Sequence, residues 1–191
     1  MILLATPTSP FSRTVRVLAM ERALPLVVRW VSPLDDDDEL LSANPIGKVP
    51  ALVVDGEEAG CDSRSICARL CTRPRTYADL RHEALAHGLM EAALAVVLSQ
   101  RGLATLPEPW VARQRVRLNR VVEALADEAP EERDSVGAVA LGCALAYLDF
   151  RLPDLAWAEA APTLAAWQRQ QTQRPSMQAT RFGESQTIDA R

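Results

Sequence analysis

Thr8-Ser9-Pro10-Phe11-Ser12-Arg13 comes shortly after the apolar run Met1-Ile2-Leu3-Leu4-Ala5. The apolar run reads as a short strand, and the segment from Thr8 as the start of a helix. Pro10 suits the first helical turn, where its missing N–H is not needed and its φ is already set. Ser9 then falls at the N-cap, with free backbone N–H groups and the positive end of the helix dipole beside its hydroxyl. On this segment alone, Ser9 reads equally well as a plain cap and as a hydroxyl placed for chemistry.

Outward from that point, residues 10–23 form a helix with Phe11, Val15 and Leu18 on one face, and residues 26–31 a second strand. The run Asp35-Asp36-Asp37-Asp38-Glu39 can open a short helix, its carboxylates sitting at the positive end of the dipole. Residues 51–54 and 58–61 read as a hairpin turned at Asp55-Gly56, and residues 63–71 as a helix burying Ile66 and Leu70. This β-α-β then β-β-α order, with a right-handed crossover, makes the first two strands parallel. After Thr72-Arg73-Pro74-Arg75 the strand signal disappears. Leu85, Leu89, Ala92, Val96 and Gln100 trace one long helix, and Leu118, Val121 and Leu125 a second over 110–127. Residues 136–148 are apolar on nearly every face, which marks the central helix of a bundle; another helix starts at Pro162. The expected architecture is an α/β domain over 1–73 followed by an all-α domain over 78–191.

The bulk properties exclude several classes. Of the 191 residues, 48% are hydrophobic and 24% charged, the balance of a globular chain. The net charge of −4 comes without a basic face, which argues against nucleic acid. The amino terminus lacks the pattern of a secretory signal, and the longest apolar stretch, 136–148, is too short to span a bilayer. A cytoplasmic protein, neither membrane-bound nor nucleic-acid-bound, is the expectation. Cys67 and Cys71 share a helix face, but there is no Cys-x-x-Cys pair and His82 and His87 lie elsewhere. The cysteines read as small buried residues in a reducing compartment, with no metal expected.

Three motifs in order carry a family resemblance: Ser9-Pro10-Phe11-Ser12, Asn44-Pro45-Ile46-Gly47-Lys48-Val49-Pro50, and Asp62-Ser63-Arg64-Ser65-Ile66. Together they resemble the amino-terminal domain of the soluble glutathione S-transferases. The first is similar to a glutaredoxin redox loop with both sulfurs replaced by oxygen. The resemblance runs on through Gly142-Cys143-Ala144-Leu145-Ala146-Tyr147-Leu148-Asp149-Phe150-Arg151 and Arg174-Pro175-Ser176, and is closest to small bacterial members. It implies a thioredoxin-like domain joined to a helical bundle, glutathione as co-substrate, and a homodimer.

The resemblance also implies roles for individual residues. Val49-Pro50 is expected to be cis, with Val49 pairing main chain to main chain with the cysteinyl part of glutathione. Asp62 and Ser63, at a helix start, suit the ammonium and carboxylate of a γ-glutamyl group. Lys48 either approaches the glycyl carboxylate or stays a solvated loop lysine. Ser9 is the catalytic candidate, donating a hydrogen bond to the glutathione thiolate, with Thr8 as its substitute and Ser12 as a structural helix residue. Phe11, His87, Met90 and Trp110 are candidate walls for the second substrate, a hydrophobic electrophile.

The chain departs from the family's pattern in three places. Ser135-Val136-Gly137-Ala138 lacks the acid that usually completes the capping box of the central helix, a loss of about 1 kcal/mol. His87 stands where relatives often carry an acid, and the linker is short. The leading expectation is a glutathione transferase. The alternatives are a glutathione-dependent thiol oxidoreductase, disfavoured by the absence of cysteine at 9 and 12, and a non-catalytic glutathione-binding or scaffold protein.

Overall fold

Leu3, Leu4 and Ala5 of β1 (Ile2–Ala5) have no exposed surface, and a strand buried on both faces belongs in the middle of its sheet. The computed structural model, which describes residues 1–183, places it there. The sheet order is β2-β1-β3, with β2 (Val27–Trp30) parallel to β1 and β3 (Ala51–Val53) antiparallel. Leu4 stands opposite Arg29 on one side and Ala51 on the other. The expected parallel pairing of the first two strands is observed, with α1 (Pro10–Glu21) as the crossover.

Alternation along β1 divides the core. Leu4 packs with Val31, Ala51 and Leu40 of α2 (Asp38–Ala43). Leu3 instead pairs with Leu52, on the side where Ile66 of α3 (Ser63–Leu70) approaches Gly60. α1 packs against α3. Ile66 and Leu70 are both buried, as their spacing predicts. This is a thioredoxin-like unit.

The expected strand over 58–61 shrinks to a single bridge, Gly60 opposite Leu52, with two N–H···O bonds of 2.8 Å. Glu57 and Glu58 are exposed, and Gly60 has no side chain to pack, so nothing holds a longer ladder. The turn itself stands where Asp55-Gly56 marks it. Glu57 N–H donates to the Val54 carbonyl at 3.1 Å, and Gly56 takes a φ of +78°.

The second unit is helical: α4 (Tyr77–Gln100), α5 (Glu108–Leu125), α6 (Val136–Arg151), α7 (Trp157–Ala160), α8 (Pro162–Thr172) and the start of α9 (Pro175–Ala179). α6 is buried all round from residue 136 to 145 and packs chiefly on α4, the central position its composition predicts. α7 and α9 escape the sequence reading because neither is long enough to show a helical period. The two units comprise Met1–Pro74 and Arg75–Met177, and the described residues from Gln178 onward group with the first. The expected second domain ran from 78 to 191. Its last part, 184–191, lies outside the described residues. No single helix among the described residues is long and apolar enough to cross a membrane.

A carboxylate from elsewhere in the chain satisfies one of the orphan N–H groups at the start of α6. Ser135 caps α6 by accepting from Ala138 N–H at 3.2 Å. The Gly137 N–H donates to Asp79 Oδ1 of α4 at 2.6 Å, across 58 positions of sequence. Asp79 is nearly buried and is paired by Arg75 at 2.5 Å, which also holds Glu83 at 2.9 Å. Only glycine fits at 137, because a Cβ there would lie 2.8 Å from both Asp79 Oδ1 and His82 Cβ. Burial alone would raise the Asp79 pKa. The Arg75 guanidinium, the Gly137 N–H and the Ser135 hydroxyl outweigh it and hold the carboxyl below its ordinary value of 3.8.

A carboxyl with a depressed native pKa contributes stability that is complete above 3.8 and lost as pH falls through the native value. We therefore expect Asp79→Asn to lower stability by about 1–3 kcal/mol at neutral pH. Denaturant unfolding of both proteins at pH 7 and below pH 3.8 checks this. The gap between wild type and variant should be widest at pH 7 and narrow in acid.

Candidate functional site

Pro10 opens α1 at N1, which leaves Ser9 as an extended N-cap with φ −78° and ψ 122°. The Ser9 Oγ accepts the Ser12 N–H at 3.1 Å, and its carbonyl accepts the Arg13 N–H at 3.0 Å. The cap thus uses an oxygen lone pair and leaves the hydroxyl proton to donate outward. Ser9 is half-buried, so that proton is within reach of a ligand. Ser12 is fully buried, and its hydroxyl has no hydrogen-bond partner among the described residues. It lies too deep to stand in for Ser9, whereas Thr8 is partly exposed.

The loop into β3 is braced by a residue whose role the sequence reading missed. Asn44 is 2% exposed. Its Nδ2 donates to the Lys48 carbonyl at 2.6 Å, and its Oδ1 accepts from Ile46 N–H at 3.1 Å. Gly47 closes the turn, donating its N–H to the Asn44 carbonyl at 2.8 Å with a φ of +69°. The Val49 side chain packs against the Leu4 cluster. The Val49 N–H and C=O make no hydrogen bond among the described residues, and the Val49–Pro50 bond is cis. Lys48 is exposed, with no ion pair among the described residues.

α3 begins with Asp62 as N-cap. Its Oδ1 accepts from Arg64 N–H at 2.9 Å and Ser65 N–H at 3.3 Å, which leaves Oδ2 for another partner. Ser65 is exposed and donates its hydroxyl back to the Cys61 carbonyl at 2.6 Å. The Ser63 side chain is buried, and its hydroxyl makes no hydrogen bond among the described residues.

Sheet register brings these segments to one place. β1 ends at Ala5 and runs into the Ser9 loop, while Ala51 opposite Leu4 puts Val49 and Pro50 beside that end. Gly60 opposite Leu52 runs antiparallel, so the chain continues to Asp62 towards the same end. Ser9, Val49, Asp62 and Ser63 therefore stand along one edge of a single unit. A cap hydroxyl, an open peptide edge and a helix start offer a hydrogen-bond donor, a strand-like partner and an anion seat in sequence.

The four residues expected to wall a second substrate are placed unequally. Met90 on α4 has no exposed surface and His87 on the same helix almost none. Phe11 is half-buried, and Trp110 is 42% exposed at the first turn of α5. A cleft of about 200 Å³ in the helical unit is lined by Asp149, Trp157, Gln168 and Arg169, among others, and by none of the four.

Residues 3–77 match the family model described as the glutathione S-transferase N-terminal domain. Over 181 residues the chain is 33% identical to the uncharacterized GST-like protein YibF of Escherichia coli K12, covering 86% of this chain and 90% of that protein. A glutathione transferase family member from Pseudomonas fluorescens Pf-5, solved with bound glutathione, is 36% identical. The match spans 95% of this chain and 98% of that one, with a TM-score of 0.85. A glutathione S-transferase from Methylobacillus flagellatus KT with GSH bound is 30% identical, over 95% and 99% of the two chains, also at 0.85.

The Asn44 brace predicts a measurable loss. Asn44→Ala leaves the Lys48 carbonyl and the Ile46 N–H without their partner, at a cost of about 1–3 kcal/mol. Chemical denaturation should show that drop, together with faster amide exchange at residues 46–49.

Proposed function

This chain is a member of the glutathione S-transferase family, and on that premise we propose that it binds glutathione along the Ser9–Val49–Ser63 edge and promotes attack of the thiolate on a hydrophobic electrophile. The observation that carries the proposal is the Ser9 hydroxyl, whose oxygen is held by Ser12 N–H while its proton meets no acceptor among the described residues. Relatives solved with glutathione bound support the choice of ligand.

In this reading the Val49 N–H and C=O pair with the cysteinyl backbone. Ser63 takes the γ-glutamyl carboxylate through its hydroxyl and its own N–H, the Arg64 and Ser65 N–H groups being held by Asp62 Oδ1, and Asp62 Oδ2 takes the ammonium. Lys48 is the partner for the glycyl carboxylate. Phe11, half-buried two residues after Ser9 in the same unit, offers aromatic surface for an apolar electrophile.

A free thiol near neutral pH is mostly protonated, with pKa about 8.5, and only the anion is nucleophilic. A charge-assisted hydrogen bond worth roughly 1.5–3 kcal/mol lowers that pKa by about one to two units. The α1 dipole acts in the same direction. Ser9 keeps its own proton throughout. The thiolate forms the new carbon–sulfur bond, and the electrophile accepts the electron pair.

Titrations with glutathione, calorimetric and spectroscopic, test the proposal on wild type, Ser63→Ala and Ser9→Ala. Ser63→Ala should weaken binding, and unchanged affinity in a folded variant removes Ser63 from the site. Ser9→Ala should leave affinity nearly unchanged and raise the bound thiol pKa by about one to two units, with turnover partly recovered at high pH. Identical thiolate titrations would reduce Ser9 to a cap. Binding without turnover on any electrophile would favour the non-catalytic alternative.

The homodimer that the family resemblance implies, and the cytoplasmic location expected from the sequence, belong to the same proposal. Light scattering should give twice the chain mass at micromolar concentration, and a monomer there refutes the dimer.

A further inference from the structure

Arginine is rarely buried, and Arg13 is 3% exposed. It sits one helical turn after Ser9, and its backbone N–H donates to the Ser9 carbonyl at 3.0 Å. Its side chain engages the segment beyond α9. Nε donates to Thr180 Oγ1 at 3.3 Å, and the guanidinium lies 4.5 Å from the centroid of the Phe182 ring. Thr180 is itself almost fully buried. Helical side chains lean towards the helix N-terminus, so this grip falls alongside the first turn of α1.

We propose that Arg13 is a positioning residue for the Ser9 hydroxyl, held in place by Thr180 and Phe182. The proposal rests on the glutathione-transferase reading above and extends it to a segment far away in sequence. The link is mechanical. Ser9 is held at three points: its N–H donates to the Thr6 carbonyl at 3.3 Å, while its Oγ and its carbonyl accept from the N–H groups of residues 12 and 13. Whatever fixes Arg13 therefore fixes the orientation of the cap. The planar guanidinium suits this task, since it stacks on a ring with its face while donating from its edge. A lysine ammonium keeps donors but has no planar face to lay on the ring. The segment after α9, which the sequence alone assigns to the helical domain, becomes part of the machinery that orients the thiolate's hydrogen-bond donor.

The test is the thiolate absorbance of bound glutathione against pH, in wild type, Ser9→Ala, Arg13→Lys and the double variant Thr180→Val/Phe182→Leu. The double variant keeps the arginine charge and removes its contacts to Thr180 and Phe182. Arg13→Lys and the double variant should each raise the bound thiol pKa by about half a unit to one unit, a three- to tenfold loss of thiolate below the pKa. Their glutathione affinity should stay within about twofold of wild type, since a partial loss of donor alignment leaves the peptide contacts intact. A merely structural role would lower the melting temperature of both variants and leave the thiolate titration where it was. That outcome overturns the proposal. A shift in Arg13→Lys alone also overturns it, because the segment would then play no part. If wild type fails to bind glutathione, or if Ser9→Ala titrates like wild type, the underlying reading has failed instead. Should the double variant not fold, Phe182→Leu alone gives the same comparison.

Discussion

The antiparallel pairing of β3 with β1, Leu4 opposite Ala51, is the constraint on which the candidate site depends. Without it the Ser9 loop and the Val49–Pro50 segment would be distant in space as they are in sequence. The pairing is enforced by burial on both faces of β1. A one-residue slip would carry Leu4 out of its cluster with Val31 and Leu40 and move Leu3 away from Leu52. The register is thus set by hydrophobic packing, yet what it positions is polar: a cap hydroxyl, an open peptide and a helix start. Each comes from a chain segment beside the end of a strand, where backbone groups are not occupied by the sheet.

Most of this was legible in the residues because the signals are local. Pro10 after Ser9 places the start of α1, and the Asn-Pro-x-Gly-Lys-Val-Pro segment marks the approach to β3. The apolar wrap of 136–148 marks α6 as central. What escaped was non-local. No periodicity tells that Asn44 would turn its amide back onto Lys48, or that Arg13 would meet Thr180 across 167 positions. The burial of two of the expected second-substrate residues was illegible for a related reason. Met90 and His87 lie on a 24-residue helix that is buried along much of its length, and its weak amphipathicity does not say which face is open. The fourth strand was lost because a turn signal shows where a chain reverses, not how long the ladder beyond it persists.

The start of α6 shows how a helix end is satisfied in part by a packing arrangement. A capping box draws its acid from within the helix's own first turn, so it can form before anything else does. Here the acceptor for Gly137 is on α4, and it becomes available only when α4 and α6 have docked. Helix capping and helix packing have merged into one event, which ties the start of α6 to the cooperative folding of its unit.

That merger also changes what the chain can tolerate in descent. With Asp79 and Glu83 already sharing the cation of Arg75, an acid regained at buried Ala138 would bring a further carboxylate towards a cluster whose arginine is already divided between two. A carboxylate added near the start of α6 would compete with Asp79 and Glu83 for that one cation. Gly137 is bound to the same cluster, since a side chain there meets Asp79 and His82 directly. The first turn of α6 and residues 79 and 82 of α4 can therefore change only together.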